Sequence, residues 1–453
     1  MILSDKQHIC LVGIGGVSMS GIALVLKQDG KHVFGADRAE SKITRRLEAT
    51  GIPVHIGHDA RNIDGADLVI RNAAIHDDAP EIKAAREKGI PVMERPDAWG
   101  ELMTGYDCAI CISGMHGKSS TTGFASTIAL EAGLDPTITI GAELASIGGT
   151  MHIGAKKLFI AEACEYCNSF LSFKPTYAVV HNIEEDHLDF FKDLDDIKSS
   201  FRRYIALIPD HGAVIANIDD ANVRDVLSGS DRRIVSYAID RDVDFRGIDI
   251  TFDRGFASFT VVHDTEQKRI KLQCPGRHSV MNALASIAAC VSAGISFEEA
   301  CSDAAQFTGI GRRFEVKGTL NGALVVDDFA HHPTEMTTTL KTAMEMGFDR
   351  VICAFQSHTY TRTAALFDDF AEALRIPDVT YVLETYAARE TNTTGVEATD
   401  LALAADAPYF ADIYALAETL MQEARPGDLI LTMGAGNIVD LAEIFGDSLV
   451  KQA

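Results

Sequence analysis

Residues 113–120 carry the side chains of a phosphate-binding turn. They read Ser-Gly-Met-His-Gly-Lys-Ser-Ser, follow an apolar run at 108–112 and precede a helix-like pattern. In a glycine-rich turn at a helix start, backbone N–H groups point at an anion, while Lys118 would reach the outer phosphates and Ser119 would hold Mg²⁺. The pattern predicts a nucleotide triphosphate site, although Ile112 stands where the usual GxxxxGK[ST] motif has its first glycine. The alternative is an ordinary glycine loop that ends in Lys-Ser.

A second glycine-rich turn lies near the N-terminus. The run Gly-Ile-Gly-Gly-Val-Ser-Met-Ser-Gly at 13–21 follows the first apolar strand, and Asp37 ends the second strand, where a ribose-binding acid would stand. Taken alone, the run indicates NAD, but Ser18 replaces the last glycine of the GxGxxG fingerprint. Together with 113–120 it implies two different phosphorylated ligands, unless the first turn merely packs a strand against a helix.

An acid and an imidazole follow neighbouring strands of the central part of the chain. Glu162 closes the apolar strand at 157–162, and His187 follows the next strand. In an open α/β sheet, the carboxyl ends of the strands line the ligand crevice. Beside Lys118 and Ser119, these two groups would ligate Mg²⁺ ions that neutralise a transferring phosphoryl group. A surface histidine and a helix-capping glutamate are the alternative.

Further charged residues lie where a third part of the chain begins. Arg312 and Arg313 stand in a glycine-rich turn before the acidic pair 327–328, and an arginine at such a hinge can clamp a phosphate when domains close. Two histidine-containing segments, 331–333 and 356–362, both follow predicted strands and could face the same cleft. Histidines are also common as ordinary surface residues, so both interpretations stay open.

The composition excludes several classes of partner and site. The chain has 453 residues, a net charge of −24 and a pI of about 5.0, which disfavours nucleic acid and membrane partners because both require a basic surface. Without a signal segment or an apolar run near the roughly 20 residues of a membrane helix, we expect a cytoplasmic, soluble protein. Nine cysteines then indicate reduced thiols. We interpret the pairs Cys108/Cys111 and Cys164/Cys167 as buried small hydrophobic residues and not as zinc ligands, because the first pair lies within a strand.

Three successive α/β blocks account for the length of the chain. Apolar runs alternate with helix-like stretches from His8 onward, as in a parallel sheet, and the alternation restarts near Tyr106 and again after Arg313. Between 243 and 274, short alternating strands around turns predict an antiparallel ribbon at the edge of the central block. The predicted fold class is α/β, with three domains at 1–104, 105–315 and 316–453.

The combined motifs resemble those of the Mur ligase family of ATP-dependent amide-bond-forming enzymes, over essentially the whole chain. That family has a nucleotide loop like SGTHGKT, a strand-end glutamate, an NIxxDH segment, a PGxHNxxNALA helix start, a GRRF segment and a DYxHHPTE segment. Here these stand as SGMHGKSS, EACEYC, NIEEDHLDFF, PGRHSVMNALA, GRRFE and DDFAHHPTEM. The runs GIGGVSMSG and FQSHTYTRT agree with one branch of the family.

The resemblance implies three domains and a role for each matching residue. It implies a Rossmann-like N-terminal domain for a UDP-sugar, a central P-loop ATPase domain and a Rossmann-like C-terminal domain that brings an amino acid. The implied catalytic residues are Lys118, Glu162, His187 and Arg313, and the implied Mg²⁺ ligands are Ser119, Glu162 and His187. The implied binding residues are Gly114, His116, Gly117, Lys118, Ser119, Ser120, His278, Asn282, Arg313 and Asp328 for ATP, Gly15, Gly16 and Asp37 for the UDP-sugar, and His331 and Arg362 for the amino acid.

The reaction that the resemblance implies is the ATP-dependent joining of L-alanine to the lactyl carboxylate of UDP-N-acetylmuramate through an acyl phosphate. The implied enzyme is a monomer or weak homodimer that uses ATP and Mg²⁺. One alternative is attachment of a whole tripeptide during muropeptide recycling; more distant ones are an NAD-dependent oxidoreductase and a non-catalytic nucleotide-binding module. Four residues depart from the usual family pattern: Met115, Ser279, Phe329 and Thr359. The last two replace a tyrosine and an arginine on the amino-acid side.

Overall fold

The computed structural model describes residues 2–187 and 190–451, which form two compact units. The first unit runs to Arg246 and includes His263–Glu266 and Ala283–Ala304. The second unit comprises Gly247–Val262, Gln267–Asn282 and the chain from Ala305 onward. Positions 188 and 189 of the predicted NIEEDHLDFF segment lie outside the described residues.

The first unit opens with a parallel five-stranded sheet in the order β3-β2-β1-β4-β5. Its elements are β1 (His8–Val12), α1 (Val17–Gln28), β2 (His32–Asp37), α2 (Lys42–Ala49), β3 (Val54–Ile56), β4 (Leu68–Arg71), α3 (Pro80–Glu87), β5 (Val92–Glu94) and α4 (Arg95–Met103), with 3₁₀ turns at Leu3–Asp5 and Ala60–Ile63. Alternate side chains of β1 enter two separate buried clusters, Ile9 and Leu11 in one and Cys10 and Val12 in the other. The strand is therefore covered on both faces, as parallel strands require.

A second sheet in the same unit has the order β12-β11-β10-β6-β9-β7-β8. Its strands pair in parallel, except that β8 is antiparallel to β7. The strands are β6 (Cys108–Ser113), β7 (Thr137–Leu144), β8 (Gly149–His152), β9 (Leu158–Glu162), β10 (Tyr177–Val180), β11 (Ala213–Asn217) and β12 (Ile234–Ala238). The helices are α5 (Lys118–Glu131), α6 (Leu194–Ile205), α7 (Ala221–Leu227), α8 (Arg277–Ser292) and α9 (Phe297–Ala304), with 3₁₀ turns at Ala145–Ile147 and Tyr166–Ser172. The first residues of α8, up to Asn282, belong to the second unit.

The second unit contains a ribbon and a third sheet. The ribbon strands β13 (Phe245–Asp253), β14 (Phe256–His263) and β15 (Glu266–Pro275) lie side by side and are joined by two-residue turns, which makes them antiparallel. The third sheet has the order β20-β19-β18-β21-β17-β16-β22, and β16 is antiparallel to both of its neighbours. Its elements are β16 (Glu315–Leu320), β17 (Ala323–Asp328), α10 (Pro333–Glu345), β18 (Arg350–His358), α11 (Tyr360–Ala365), α12 (Phe367–Ala373), β19 (Val379–Tyr386), α13 (Ala398–Ala404), β20 (Tyr409–Phe410), α14 (Ile413–Glu423), β21 (Asp428–Met433), α15 (Leu441–Ile444) and β22 (Leu449–Val450), with 3₁₀ turns at Asn437–Asp440 and Gly446–Ser448.

Polar caps determine where several of these helices begin. Ser41 and Thr44 form a reciprocal capping box at α2, in which each side chain accepts the backbone N–H of the other residue (3.2 and 2.8 Å). At α10, the His332 side chain accepts the N–H of Thr334 (3.3 Å), and Pro333 occupies the first helical position. These bonds satisfy N–H groups that have no partner inside the helix.

The first two sheets share one hydrophobic core. Trp99 of α4 is buried and meets the ring of Phe159 on β9 edge-on, with centroids 5.5 Å apart, and Tyr106 meets the same ring at 5.0 Å. Such pairs contribute about 0.5–1.5 kcal/mol each beyond the burial of their area. On the same helix, Gly100 lies directly against the carbonyl of Ser172. The N-terminal sheet is thus packed against the strands that lead to the phosphate loop.

The architecture confirms the predicted α/β class with three sheets, and it confirms that the segment 243–274 forms an antiparallel ribbon. The antiparallel pair β7–β8 was not predicted. All nine cysteines of the described chain are free, but Cys164 and Cys167 are exposed, so the prediction of burial is wrong for that pair. Its position in a surface turn, and not in a strand, is the reason. Within residues 2–187 and 190–451, no helix has the length and apolar character needed to cross a membrane.

The contact at Gly100 generates a stability prediction. A Cβ at this position would lie 1.9 Å from the Ser172 carbonyl oxygen, so Gly100→Ala must displace backbone and should lower the free energy of unfolding by about 1–3 kcal/mol. Gly149→Ala is the matched control, because a Cβ there meets open space and should change stability by at most about 0.5 kcal/mol. Urea denaturation compares the two, and equal effects would contradict the packing described.

Candidate active site

The predicted phosphate loop is a strand, a turn and a helix start. It leaves β6 after Ser113 and enters α5 at Lys118. Gly114 has a φ of 137° and Gly117 a φ of 81°, both in the region that side chains other than glycine disfavour. A Cβ on Gly114 would also lie 3.0 Å from the Cβ of His181. Glycine is therefore required for the close approach of this turn to the end of β10.

Asn182, which follows β10, holds the loop in shape. Its side-chain oxygen accepts the N–H of His116 (2.8 Å), its side-chain nitrogen donates to the carbonyl of His116 (3.0 Å), and its own carbonyl accepts the N–H of Met115 (3.2 Å). Three hydrogen bonds from one residue fix the turn before any ligand arrives. Sequence reasoning missed Asn182, although it stands in the conspicuous run before His187.

The strand register brings Glu162 to the same sheet edge as the loop. Glu162 pairs in register with Ile112 of β6, and Ser113 pairs with Val180 of β10. One Glu162 oxygen accepts the N–H of Gly141 (2.6 Å), which fixes the carboxylate at the end of β9. The predicted acid and the predicted loop are thus neighbours.

Lys118 lies largely buried at the mouth of the loop. Its ammonium donates to the carbonyls of Gly114 (2.6 Å) and Met115 (3.0 Å), and it lies 3.2 and 3.1 Å from the two oxygens of Glu165. Burial acts to lower the pKa of Lys118, but the charge and hydrogen bond of Glu165, with smaller contributions from Cys164 and Glu162, together outweigh it and raise that pKa above its usual value. Lys118 is therefore a cation in this site.

His187 belongs to the same cluster. Its Nε2 lies 3.5 Å from Glu165 Oε1, and its ring lies against Tyr166 with centroids 4.7 Å apart. The structure thus joins Lys118 and His187 through Glu165, a residue that sequence reasoning passed over in favour of the strand-ending Glu162. The available signal was the second carboxylate of the EACEYC segment.

The other predicted loop residues stand at the start of α5. Ser119 and Ser120 are half-buried in its first turn, directly after Lys118. The imidazole Nε2 of His116 contacts the carboxylate of Glu184, another member of the segment after β10. This pair is a second link between the loop and that segment.

In the second unit, Arg312 and Arg313 have different surroundings. Arg312 donates to Asp327 (3.0 Å) and to the carbonyl of Gly434 (2.6 Å), so it ties the hinge turn to the third sheet. Arg313 donates to Glu335 (3.4 Å). Both guanidinium groups lie over the ring of Phe329, at 4.8 and 5.3 Å from its centroid.

Asp328 is buried at the end of β17, and its carboxylate accepts the N–H groups of Phe314 (2.9 Å) and Ala330 (2.8 Å). It therefore braces the two turns that carry Arg313 and His331. Two other predicted residues of this unit lie on the first turns of α8: His278 is exposed and Asn282 is buried.

The predicted amino-acid side also lies in the second unit. His331 Nδ1 lies 3.0 Å from the carbonyl oxygen of Phe329, and its backbone N–H donates to Glu335 (3.2 Å). Burial lowers the pKa of His331 to about 4, and the charges of Arg362 and Arg313 add to this lowering while Glu335 opposes it. The ring of His358 lies 6.2 Å from that of His331. His331 thus lies beside the imidazole of His358 and close enough to Arg362 to be affected by its charge. Glu335, which sequence reasoning missed, accepts hydrogen bonds from both Arg313 and His331.

The N-terminal turn is organised around its own backbone. Asp37 accepts the N–H of Gly15 (2.8 Å), and Gly16 precedes the first turn of α1. Ser18, the departure from the dinucleotide fingerprint, accepts hydrogen bonds from Trp99 (2.9 Å) and Arg95 (3.1 Å). A glycine could not make these bonds, so Ser18 serves the junction between the first two sheets.

Three sequence models of one protein family match successive parts of the chain. They are described as the catalytic domain of the Mur ligase family, which matches residues 8–107, the Mur ligase middle domain, which matches 112–290, and the Mur ligase glutamate ligase domain, which matches 312–436. Their order along the chain follows the order of the three sheets.

Individual proteins resemble the chain over its whole length. A UDP-N-acetylmuramate–L-alanine ligase of Acetivibrio thermocellus is 45% identical over 447 residues, covering 97% of this chain and 95% of that protein. Among solved structures, the UDP-N-acetylmuramate-alanine ligase of Thermotoga maritima has a TM-score of 0.79 at 26% identity, covering 97% of this chain and 98% of that one. A murein peptide ligase of Psychrobacter arcticus has a TM-score of 0.71 at 25% identity, covering 97% and 99%.

The environment of Asp328 generates a pH-dependent prediction. Burial raises the pKa of Asp328 to about 6, although the positive charge of Arg313 and two backbone N–H groups act in the opposite direction. Because an unfolded aspartate titrates near 4, the folded state holds the proton more tightly, and this group costs stability as the pH rises from about 4 to 6. Asp328→Asn removes that cost.

Urea denaturation gives the unfolding free energy of Asp328→Asn and of the parent at each pH. We expect the variant's value, relative to the parent's, to rise by about 2–3 kcal/mol from pH 4 to pH 7. The lost acceptor on Asn adds an offset that does not depend on pH, so the slope is the informative quantity. A difference between the two proteins that stays constant over this range would contradict the assignment.

Proposed function

The chain belongs to the Mur ligase family, and we propose that it joins L-alanine to the lactyl carboxylate of UDP-N-acetylmuramate at the expense of ATP. The observation that carries the proposal is full-length identity of 45% to a ligase of that description. The site supports it independently, because a glycine turn with its backbone N–H groups, the Lys118 ammonium and the strand-end carboxylate of Glu162 meet at one sheet edge. A carboxylate-activating ligase requires N–H donors and a cation for the phosphates of ATP, and carboxylate oxygens for the accompanying metal ion.

The reaction proceeds in two steps. A carboxylate does not accept an amine directly because oxide is a poor leaving group, so a lactyl carboxylate oxygen first attacks the γ-phosphorus and ADP leaves. The α-amine of L-alanine then attacks the carbonyl carbon of the resulting acyl phosphate. Inorganic phosphate leaves with the lactyl oxygen that had attacked the γ-phosphorus, and an amide remains. The loop N–H groups, Lys118 and Arg313 bind and align the phosphates, which is most of what phosphoryl transfer asks of a protein.

Mg²⁺ fits the residues at the mouth of the loop. The Glu162 carboxylate and the Ser119 hydroxyl are oxygen donors of the kind that Mg²⁺ prefers, and His187 adds a nitrogen ligand from the segment after β10. When bound there, the cation would offset the negative charge of the γ-phosphate. Glu162 is already fixed by the N–H of Gly141, so this ligand needs no reorganisation.

The remaining predicted residues complete the substrate sites in this proposal. Gly15, Gly16 and Asp37 serve the UDP end, and His278, Asn282 and Asp328 serve ATP, with Asp328 acting by bracing the turn before Arg313. On the amino-acid side, His331 is neutral at physiological pH because its pKa is about 4, and Arg362 supplies the charge for the alanine carboxylate. Phe329 stands where the family pattern has a tyrosine, so it lacks that hydroxyl, and its ring packs against the guanidinium group of Arg313.

In this proposal, domain 1–104 binds the UDP-sugar, domain 105–315 binds ATP and domain 316–453 binds the amino acid. Each proposed domain holds one of the three sheets, and each matches one of the three family models. We place the enzyme in the cytoplasm, where its nucleotide substrates are made and where thiols such as its nine free cysteines stay reduced.

Removing the loop lysine tests the ATP site. Lys118→Ala should reduce phosphate release by at least about a thousandfold, because it deletes the buried cation beside the transferred phosphoryl group, while binding of UDP-N-acetylmuramate stays detectable by calorimetry. Lys341→Ala, an exposed lysine on α10, is the matched control and should release phosphate at the parent rate. Turnover retained by Lys118→Ala would overturn the loop assignment.

A scan of acceptors tests the substrate assignment. With UDP-N-acetylmuramate and ATP fixed, we expect phosphate release to be fastest with L-alanine, slower with glycine and L-serine, and slowest with the tripeptide used in muropeptide recycling. The tripeptide is included because a murein peptide ligase shares the fold. A preference for the tripeptide would replace the proposed acceptor, and NADH oxidation without phosphate release would refute the ligase assignment.

A further inference from the structure

Glu165 is a buried carboxylate that contacts two side chains of the proposed machinery. It has no exposed surface, it meets the Lys118 ammonium with both oxygens at 3.2 and 3.1 Å, and its Oε1 lies 3.5 Å from Nε2 of His187. A carboxylate is rarely buried unless paired, because loss of hydration must be offset. Here a lysine from the loop and a histidine from the segment after β10 share that pairing.

The contacts of Lys118 use its whole hydrogen-bonding capacity. An ammonium has three N–H donors, and the carbonyls of Gly114 and Met115 and the carboxylate of Glu165 account for three acceptor groups. The same carboxylate neutralises its charge. A phosphate can engage this ammonium strongly only by replacing Glu165, since the two carbonyls belong to the loop itself.

The turn that carries Glu165 is anchored and cannot easily follow the lysine. The carbonyl of Glu165 accepts the N–H of Asn168 (2.9 Å), and the carbonyl of Cys164 accepts the N–H of Phe170 (3.0 Å). Phe170 is buried and stacks on Tyr204 of α6 with centroids 4.4 Å apart. The lysine, on a flexible four-carbon chain, is the partner that can move.

The same turn supports the imidazole. Tyr166, the next residue, lies against the ring of His187, while Glu165 faces its Nε2. Two adjacent residues of one anchored turn thus fix the His187 imidazole, Tyr166 by packing against the ring and Glu165 by contacting its Nε2. Partners of this kind set the orientation of a histidine that ligates a metal.

We propose that Glu165 is a positioning residue that holds the Lys118 ammonium and the His187 imidazole in the nucleotide-free enzyme and yields the lysine to the phosphates of ATP. Glu165 itself keeps its place and its contact with His187. The inference rests on the proposed function only in that Lys118 binds ATP. It differs from a purely structural ion pair in making the carboxylate a competitor of the nucleotide.

Glu165→Gln provides the test, because it keeps the shape of the side chain and removes its charge. Without the competing carboxylate, ATP in EDTA should bind about three- to tenfold more tightly, measured by calorimetry. With Mg²⁺ and both substrates, kcat should fall about 10- to 100-fold, because His187 loses its oriented partner. The half-saturating Mg²⁺ concentration should rise, and the KM for L-alanine should not change.

Two controls separate this outcome from loss of structure. Thermal unfolding confirms that Glu165→Gln is folded, and Glu165→Asp should recover part of kcat because it restores the charge. Glu81→Gln removes another fully buried carboxylate, one that receives hydrogen bonds from Asn62 and from the N–H of Asp59, and it should leave ATP binding and the Mg²⁺ dependence unchanged.

The possible failures are distinguishable. A parent protein that binds no ATP would refute the proposed function. A parent that binds ATP, with a folded Glu165→Gln that binds it equally or more weakly in EDTA, would overturn the role of Glu165 and leave the function standing.

Discussion

The register of β6 between β9 and β10 is the constraint on which the proposed chemistry depends. Ile112 pairs in register with Glu162 of β9, and Ser113 pairs in register with Val180 of β10. This places the phosphate loop, the strand-end carboxylate and the segment after β10 at one edge of the sheet. A slip of one residue would turn every side chain of the strand to its opposite face, so the buried packing of β6 protects the site.

The same edge is organised before any ligand binds. Asn182 holds the loop backbone with three hydrogen bonds, Gly141 holds Glu162, and the turn anchored by Phe170 delivers Glu165. Preorganisation of this kind lowers the cost of binding, since groups that are already ordered lose little further freedom. The flexible element is the lysine side chain, which suits a group that exchanges partners.

Much of this arrangement could be predicted from the sequence. Hydrophobic alternation located the three sheets, and the short glycine turn followed by Lys-Ser located the loop, because strand ends and helix starts have strong local signatures. The motif resemblance then supplied roles for residues such as Arg313 and His331, whose positions a periodic pattern cannot explain. Those roles are proposals, and the structure supplies only the surroundings of the residues.

The residues that escaped prediction share a physical reason. Glu165, Asn182 and Glu335 act through contacts with residues that are distant in the sequence, and no hydrophobic period reveals such contacts. The turn that carries Glu165 also depends on two left-handed residues, Cys167 and Asn168. For the same reason Cys164 and Cys167 are exposed where burial was predicted. Local patterns report which elements exist; the path of the chain between them decides which side chains meet.

Transfer of oxygen from the sugar acid to phosphate tests the central claim most directly. UDP-N-acetylmuramate labelled with ¹⁸O in both oxygens of its lactyl carboxylate is incubated with the enzyme, ATP and L-alanine, and the released phosphate is analysed by mass spectrometry. Activation through an acyl phosphate predicts one labelled oxygen in each phosphate released. Amide formation with unlabelled phosphate would contradict the account, because the carboxylate would then not have attacked the γ-phosphorus.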